Sequence, residues 1–446
     1  MPITELRIEG LRTLEKIHLE LDGLTVLIGD NGAGKSSILE ACEILRRATG
    51  RQFMDELYGI HGGLTALLRQ GAPRLTIGVT IRPAQEDFSP QDVGYSCVRM
   101  LGSTNLLEYD LSVVPSASFS TLEEIVRFRD EQQSSVEGSK KGKKPGTKGK
   151  QSSIQDEAVV CIKRGATNVN FPTWPKGSHP ADVIEAHLPF LATMDGSAWQ
   201  DPGYSEAQCV AAYLRNLRLH LPFETMPSWA ARALDRKSAL RTPALLTPAT
   251  HLEKLGVNLA SAYHALKNSF GRSHWDDTLS YIRLGLGERI EDVVTWADPS
   301  GGNIGLSIKL VGLDVPISAA QLSDGMLSYL AFVAMFRLHV TKPSLLAFDE
   351  PDLHLHPHLL MRVLDFFESM ARDTPVLVAT HSDRLLDGLT DPAKSVVLCA
   401  LDDRGTTRLV RPDREALAKW LERYRGLGDI RSAGHAASVM TKVDPQ

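Results

Sequence analysis

Between residues 3 and 28, apolar and polar positions alternate twice and then stop alternating. ELRIEGL and KIHLELDG each alternate with the period of a strand buried on one face. LTVLIG is continuously apolar, as a strand buried on both faces must be. The period then changes. After GDNGAGKSS, the segment ILEACEILRRAT carries its apolar residues at helical spacing. Leu24 to Thr49 therefore reads as strand, glycine loop, helix. RLTIGVTIR, residues 74–82, alternates again and predicts another strand of the same lobe.

From about residue 89 the pattern loosens. EGSKKGKKPGTKGKQSS, Glu137 to Ser153, has no apolar residue and reads as a disordered, solvated insertion loop; its six lysines leave contact with a polyanion open. Residues 205–222 and 250–295 read as helices, with Leu252, Leu255, Leu259, Tyr263 and Leu266 on one face. GNIGLSIKLVGLDVPIS reads as a hairpin. MLSYLAFVAMFRLHV is apolar nearly all round, hence a buried helix. PSLLAFDE and TPVLVATHS are continuous apolar runs, as central parallel strands require. SVVLCALDDRGTTRLV reads as a late hairpin, and Arg414 to Arg425 as a terminal helix. No heptad run is sustained.

Composition narrows the class. The chain has 446 residues, 43% apolar and 23% charged, ordinary for a globular protein of two or three domains. A net charge of -5 makes the whole molecule no obvious nucleic-acid binder. Five scattered cysteines without CxxC spacing argue against a disulfide framework or a zinc ribbon. No signal-like segment and no long apolar run occurs, so the expectation is a cytoplasmic protein without a membrane span.

The chemistry begins at Gly29-Asp30-Asn31-Gly32-Ala33-Gly34-Lys35-Ser36, which fits G-x-x-x-x-G-K-[ST] between a buried strand and a helix. Gly29, Gly32 and Gly34 let successive N–H groups, with those of Asn31, Lys35, Ser36 and Ser37, turn toward phosphate. The helix adds its positive N-terminal end. Lys35 is placed for the β- and γ-phosphates, and the Ser36 hydroxyl for Mg²⁺. This predicts ATP and Mg²⁺ as cofactors.

LLAFDE then gains a meaning. Asp349 closes a second buried strand where the Mg²⁺-holding acid belongs, and Glu350 can orient the attacking water and take its proton. His354, His356 and His358 have metal-like spacing, but Pro351 and Pro357 break regular structure, so a turn with a helix from His358 is the reading. His381 ends another buried run and can contact the γ-phosphate or the attacking water.

Together these residues resemble the ATP-binding-cassette ATPase superfamily, in its RecF/Rad50/SMC-like branch. The nearest likeness is to bacterial "AAA family" ATPases of the overcoming-lysogenization-defect and phage-defence type. It rests on LRIEGLRTLEKIHLELDGLTVLIGDNGAGKSSILEA, LEKLGVNLASAYHAL, LSDGMLSYLAF, LLAFDEPDLHLHP and VLVATHS, over roughly residues 1–82 and 250–390. The resemblance implies an α/β P-loop fold of ABC-ATPase type, with a head split by an inserted α-rich region. Residues 1–90 would form lobe I, 91–245 the insertion, and 246–446 a helical segment plus lobe II. It also implies a head-to-tail homodimer with two ATPs at the interface. Ser323 and Gly325 would contact the nucleotide bound by the opposite protomer, Asp324 would point away, and Asp352 would face the interface. Arg12 would lie near the nucleotide, and Gln70 would be the glutamine that reaches the metal.

Two departures are expected. Residues 382–446 leave no room for a Toprim nuclease, and no long coiled coil is present. The expected function is therefore an ATP-hydrolysing dimeric switch that regulates a separate effector, a nuclease or toxin, in anti-phage defence. The rivals are a RecF-like DNA-binding repair ATPase, a scaffold that binds ATP without turnover and, last, a transporter subunit.

Overall fold

The computed structural model describes residues 2–84, 105–116, 120–130, 159–165, 169–170, 188–193, 204–226, 238–298 and 302–440. The lysine-rich segment, residues 137–153, lies outside them. The chain opens with β1 (Ile3–Leu11), β2 (Leu14–Glu20) and β3 (Leu24–Gly29), then α1 (Lys35–Arg47), α2 (Phe53–His61) and β4 (Leu75–Ile81). The next elements are β5 (Asn105–Val114), β6 (Thr121–Asp130), β7 (Val159–Arg164), β8 (Val169–Asn170), α3 (Tyr204–Arg215), β9 (Leu217–His220) and β10 (Ala244–Leu245). The second half holds α4 (Leu259–Asn268), α5 (Arg272–Leu286), β11 (Ile290–Ala297), β12 (Asn303–Leu310), β13 (Ile317–Ser318) and α6 (Asp324–Arg337). It ends with β14 (Leu345–Asp349), α7 (Pro357–Met370), β15 (Val376–Thr380), α8 (Asp383–Asp387), α9 (Pro392–Ser395), β16 (Val396–Leu401), β17 (Thr407–Val410), α10 (Arg414–Leu421) and α11 (Leu427–Ser432).

The sheet that matters for function has the order β17-β16-β3-β15-β14-β9. All its pairings are parallel except that of β16 with β17. The two-residue period divides its side chains between two cores. Leu27, Ala347, Leu377 and Ala379 enter the core shared with α1 and the antiparallel sheet. Val26, Ile28, Leu346, Phe348, Val376 and Val378 enter the core shared with α6 and α7. Continuous apolar runs are the direct consequence of burial on both faces.

A seven-stranded antiparallel sheet, β2-β1-β4-β5-β6-β7-β8, forms the second layer. Its last four strands come from the insertion: among the described residues of 91–245, strands continue the lobe I sheet and α3 is the single α-helix. YDLSVV and TLEEIVRF alternate, and the buried members Tyr109, Leu111, Val113, Leu122 and Val126 join the core laid down by β1 and β4.

Two helical expectations also change. Residues 205–222 split into α3 and the edge strand β9, and residues 250–295 end in β11 rather than in helix. In both places a short apolar segment at the end of a helix satisfies either period, and pairing with a waiting strand edge decides it. β9 pairs with β14 from Leu217↔Leu345 to His220↔Phe348, and β11 pairs with β12. The 303–318 and 396–410 hairpins are present, and the late helix closes at Leu421, short of Arg425.

Candidate active site

In an open parallel sheet, the crevice lies beyond the carboxyl ends of the strands. Here β3 ends at Gly29, β14 at Asp349, and β15 at Thr380, one residue before His381. β15 lies between the other two in the sheet. Topology therefore brings together residues far apart in the chain.

The glycine loop closes on itself. Gly34 caps α1 with φ 95, a conformation that costs an L side chain strain. A Cβ there would also lie 2.6 Å from Thr407 Oγ1 and 2.8 Å from Leu14 Cδ2. Lys35 is only 4% exposed and donates to the carbonyls of Gly29 at 2.8 Å and Asp30 at 3.1 Å. Burial pulls its pKa down, against the carboxylates of Glu350 and Asp349, which pull it up. Ser36 is exposed at the mouth, Ser37 is buried behind it, and Asn31 and Gly32 are exposed on the loop.

Ser36 Oγ lies 3.5 Å from Asp349 Oδ1. Two hard oxygen donors facing one another beside a phosphate loop fit a divalent cation such as Mg²⁺. Burial raises the Asp349 carboxyl, and the hydrogen bond from Ser36 and the charge of Lys35 oppose that rise. A bound cation would supply compensation for this half-buried acid.

Glu350 has φ 44, in the left-handed region, where a non-glycine residue sits at a cost of about 1 kcal/mol or more. Its N–H is held by the Ala379 carbonyl at 2.8 Å. The turn sends the side chain toward β15. Glu350 Oε1 lies 3.4 Å from His381 Nε2, and Glu350 Oε2 accepts from the His381 backbone N–H at 3.3 Å. Burial first, then the neighbouring Asp352, raises the Glu350 carboxyl. Burial, Lys35 and Arg431 lower the His381 pKa and favour its neutral imidazole. A carboxylate with raised proton affinity beside a neutral imidazole suits proton abstraction from water.

Asp352 is turned inward. Its carboxylate accepts from Thr380 Oγ1 at 2.5 Å, and Thr380 Oγ1 accepts from the Ser382 N–H at 3.0 Å. The loop after Glu350 is thereby tied to the loop of His381. Of the three histidines that follow, His356 caps α7 and accepts from the His358 N–H. No cluster of three or more His, Cys, Asp or Glu side chains placed for a metal exists among the described residues.

Ser323 is the N-cap of α6 and accepts from the Met326 N–H at 3.3 Å. It is exposed. A Cβ on Gly325 would lie 3.1 Å from the His354 carbonyl, so this helix start abuts the loop after Glu350. Asp324 points back to Arg241, a buried side chain that also donates to the carbonyls of Leu322 at 2.7 Å, Ala320 at 3.2 Å and Thr225 at 2.7 Å. No hydrogen bond joins Ser323 or Gly325 to Lys35, Ser36, Asp349 or His381 among the described residues.

Arg12 has φ 47 in the turn between β1 and β2 and pairs with Glu40 of α1 at 2.8 Å. Gln70 is exposed in a turn near that hairpin, where Arg69 N–H donates to Gly10 O at 2.9 Å.

Several residues at the site carry no motif. Thr407 Oγ1 donates to Ala33 O at 3.1 Å and lies 2.8 Å from Thr13 Oγ1, while Arg69 donates to Thr406 Oγ1 at 2.7 Å. These hold the glycine loop from outside. His220, 3% exposed, stacks on Phe348 at 5.5 Å with both ring nitrogens unpartnered. With Phe348, Asp349, Glu350, Pro351 and Phe332 it lines a small cavity behind the acids. Only the parallel register of β9 with β14 brings it there.

Residues 1–88 match the family described as "AAA ATPase domain", and residues 205–387 the family described as "AAA domain, putative AbiEii toxin, Type IV TA system". The chain is 34% identical over 105 residues to the DNA replication and repair protein RecF of Mannheimia succiniciproducens, over 23% of this chain and 26% of that one. It is 31% identical over 112 residues to protein ea59 of Escherichia phage lambda, over 24% and 21%. The chain thus spans about a quarter of the curated relatives it matches. The crystal structure of an SMC head bound to the C-terminal winged-helix domain of ScpA shares the fold, with a TM-score of 0.51 and 14% identity over 93% of this chain and 99% of that one. No helix among the described residues is long and apolar enough to cross a membrane.

Proposed function

Taking as premise that the chain is an ABC-superfamily ATPase of the RecF/Rad50/SMC-like kind, we propose that it hydrolyses ATP between two copies of itself and works as a switch on a separate effector. One observation carries the proposal. The chain holds a grouped set of hydrolytic residues and, apart from it, an exposed helix start of signature type. Lys35 binds the β- and γ-phosphates. Ser36 and Asp349 would hold Mg²⁺, which would supply compensation for the charge of the transferred phosphoryl group. Glu350 accepts the proton of the attacking water, and His381 orients that water or the γ-phosphate. Ser323, Gly325 and the N-terminal end of α6 of the second copy complete the anion site. Gln70 and Arg12 keep their expected places as a metal-reaching glutamine and a basic residue near the nucleotide.

The effector reading rests on resemblance to phage-defence ATPases and on the match to a family described with a toxin. Nuclease or toxin activity would then lie in another protein, released or restrained by dimer closure in the cytoplasm. The test is light scattering of the Glu350→Gln protein with Mg-ATP. A doubled mass with ATP but not with ADP is the expected result; a monomer under both conditions rejects the dimeric switch. Phage challenge of cells carrying wild type or Lys35→Ala tests the defence role, with protection lost in the variant.

A second reading is favoured by the RecF match: direct binding of DNA. Fluorescence anisotropy with duplex DNA distinguishes it, because phosphate contacts give affinity that falls steeply with salt.

A further inference from the structure

The C-terminal helix α11 presses on the segment that follows His381. A Cβ on Gly428 would lie 1.9 Å from the Asp383 carbonyl, and one on Gly426 would lie 2.4 Å from Asp387 Oδ1. Only glycine permits these backbones to approach so closely. The Asp429 N–H donates to Asp387 Oδ1 at 2.9 Å. Arg431, two residues further on, pairs with Asp383, two residues after His381. Its side chain is 23% exposed. Its partner Asp383 opens the helix that follows His381, and the Arg431 charge acts on both Lys35 and His381.

Asp383 does not depend on Arg431 alone. Ser432 Oγ donates to Asp383 Oδ2 at 2.8 Å. If Arg431 leaves, the carboxylate keeps a donor and remains partly solvated. The arginine is therefore held by a partner that can release it.

We propose that Arg431 is a second cation for the nucleotide's terminal phosphate, supplied by the same chain and held in reserve by Asp383. The proposal rests on the ATP reading above. A guanidinium offers two parallel N–H donors to phosphate oxygens, a stronger match than to a half-exposed carboxylate that has another donor. The γ-phosphate would draw Arg431 off Asp383, loosening α11 from α8. Because the competing ligand is the γ-phosphate, Arg431 discriminates ATP from ADP.

The experiment is equilibrium binding of fluorescent ATP and ADP analogues to the full chain, with Mg²⁺, for four variants. Arg431→Gln is expected to weaken ATP about 10- to 100-fold, the worth of a charge-assisted contact, and to change ADP less than about threefold. Arg431→Lys restores part of the loss. Asp383→Asn frees the arginine and is expected to tighten ATP. A merely structural pair predicts the reverse for that variant: both Arg431→Gln and Asp383→Asn would lower the melting temperature and weaken both nucleotides alike. That outcome, or Arg431→Gln binding ATP as wild type does, overturns the proposal. Lys35→Ala separates the two levels: if it too binds ATP normally, the nucleotide reading itself has failed.

Discussion

The residues proposed for hydrolysis and the proposed signature segment are built in opposite ways. The first group is made inside one sheet. Three neighbouring parallel strands end at the same edge, where Ser36 meets Asp349, Glu350 meets His381, and Lys35 folds onto the carbonyls of its own loop before any ligand arrives. The second is made by one helix start with its donors turned outward, braced from behind by Arg241. The first group is strained and partly buried: Glu350 sits at φ 44, and the Asp349 and Glu350 carboxyls are pushed up by burial. The second has no strained backbone at Ser323. Strain and desolvation concentrate where charge must be moved. A helix start only has to wait for an anion.

The largest separation of the two comes from Lys35→Ala. Removal of a buried cation at the phosphate loop should abolish measurable ATP binding by calorimetry, with the signature segment untouched. Retained affinity would place the nucleotide elsewhere. Glu350→Gln comes next. It removes the proton acceptor and keeps the shape, so turnover should fall by about 10²- to 10⁴-fold, the usual worth of general-base catalysis, while ATP affinity stays within a few-fold. Steady-state phosphate release against binding in the same preparation checks this. Normal hydrolysis would remove Glu350 from that role.

Arg241→Met acts on the other region. It deletes hydrogen bonds to the Leu322, Ala320 and Thr225 carbonyls and the ion pair with Asp324. Asp324 is 35% exposed, so water takes over its charge, and the cost falls on the loosened helix start. Binding of ATP by the isolated chain should be unchanged. Turnover should fall about tenfold, on a loss of ~1.4 kcal/mol in anion-site geometry. A matching loss in binding would mean that the two regions are not separate.

How far the sequence could be read follows the same division. Continuous apolar runs marked β3, β14 and β15, because a strand buried on both faces has no polar side to show. The glycine loop and DE dipeptide sat at their ends and could be located from spacing. β9 was misread because four residues, LRLH, cannot declare a period. Its identity depends on the open edge of β14, which no local pattern contains. The insertion strands were missed for a related reason: their alternation is clear at Tyr109, Leu111 and Val113, but their partner strand lies upstream across a long unpatterned stretch. Arg241, Thr407 and Arg431 carry no local signal at all. Each acts on the site through a contact made only by the folded chain.

The smallest expected effect lies at the edge strand between the two regions. His220, with Phe348 and Phe332, joins the acid strand β14 to the signature helix α6. Burial pushes the His220 pKa down to about 3, helped by Arg218, and burial brings His251 and His339 to about 4. The unfolded chain takes up these protons near pH 6.5. Between about 6.5 and 4 it therefore binds more protons than the folded chain, and stability falls as pH falls. The raised Asp349 and Glu350 carboxyls give the opposite slope, because their burial costs least once they are protonated. His220→Phe keeps a ring against Phe348 and removes one titrating group. Urea unfolding at pH 7.5 and 5.5 should show the wild type losing more stability than the variant, by up to about 1.4 kcal/mol for each pH unit below 6.5. Equal losses would mean that water reaches His220 in the folded chain. The β14 edge would then be an open seam between the hydrolytic residues and the signature helix, and the independence of the two regions would have its physical cause there rather than in the way each is built.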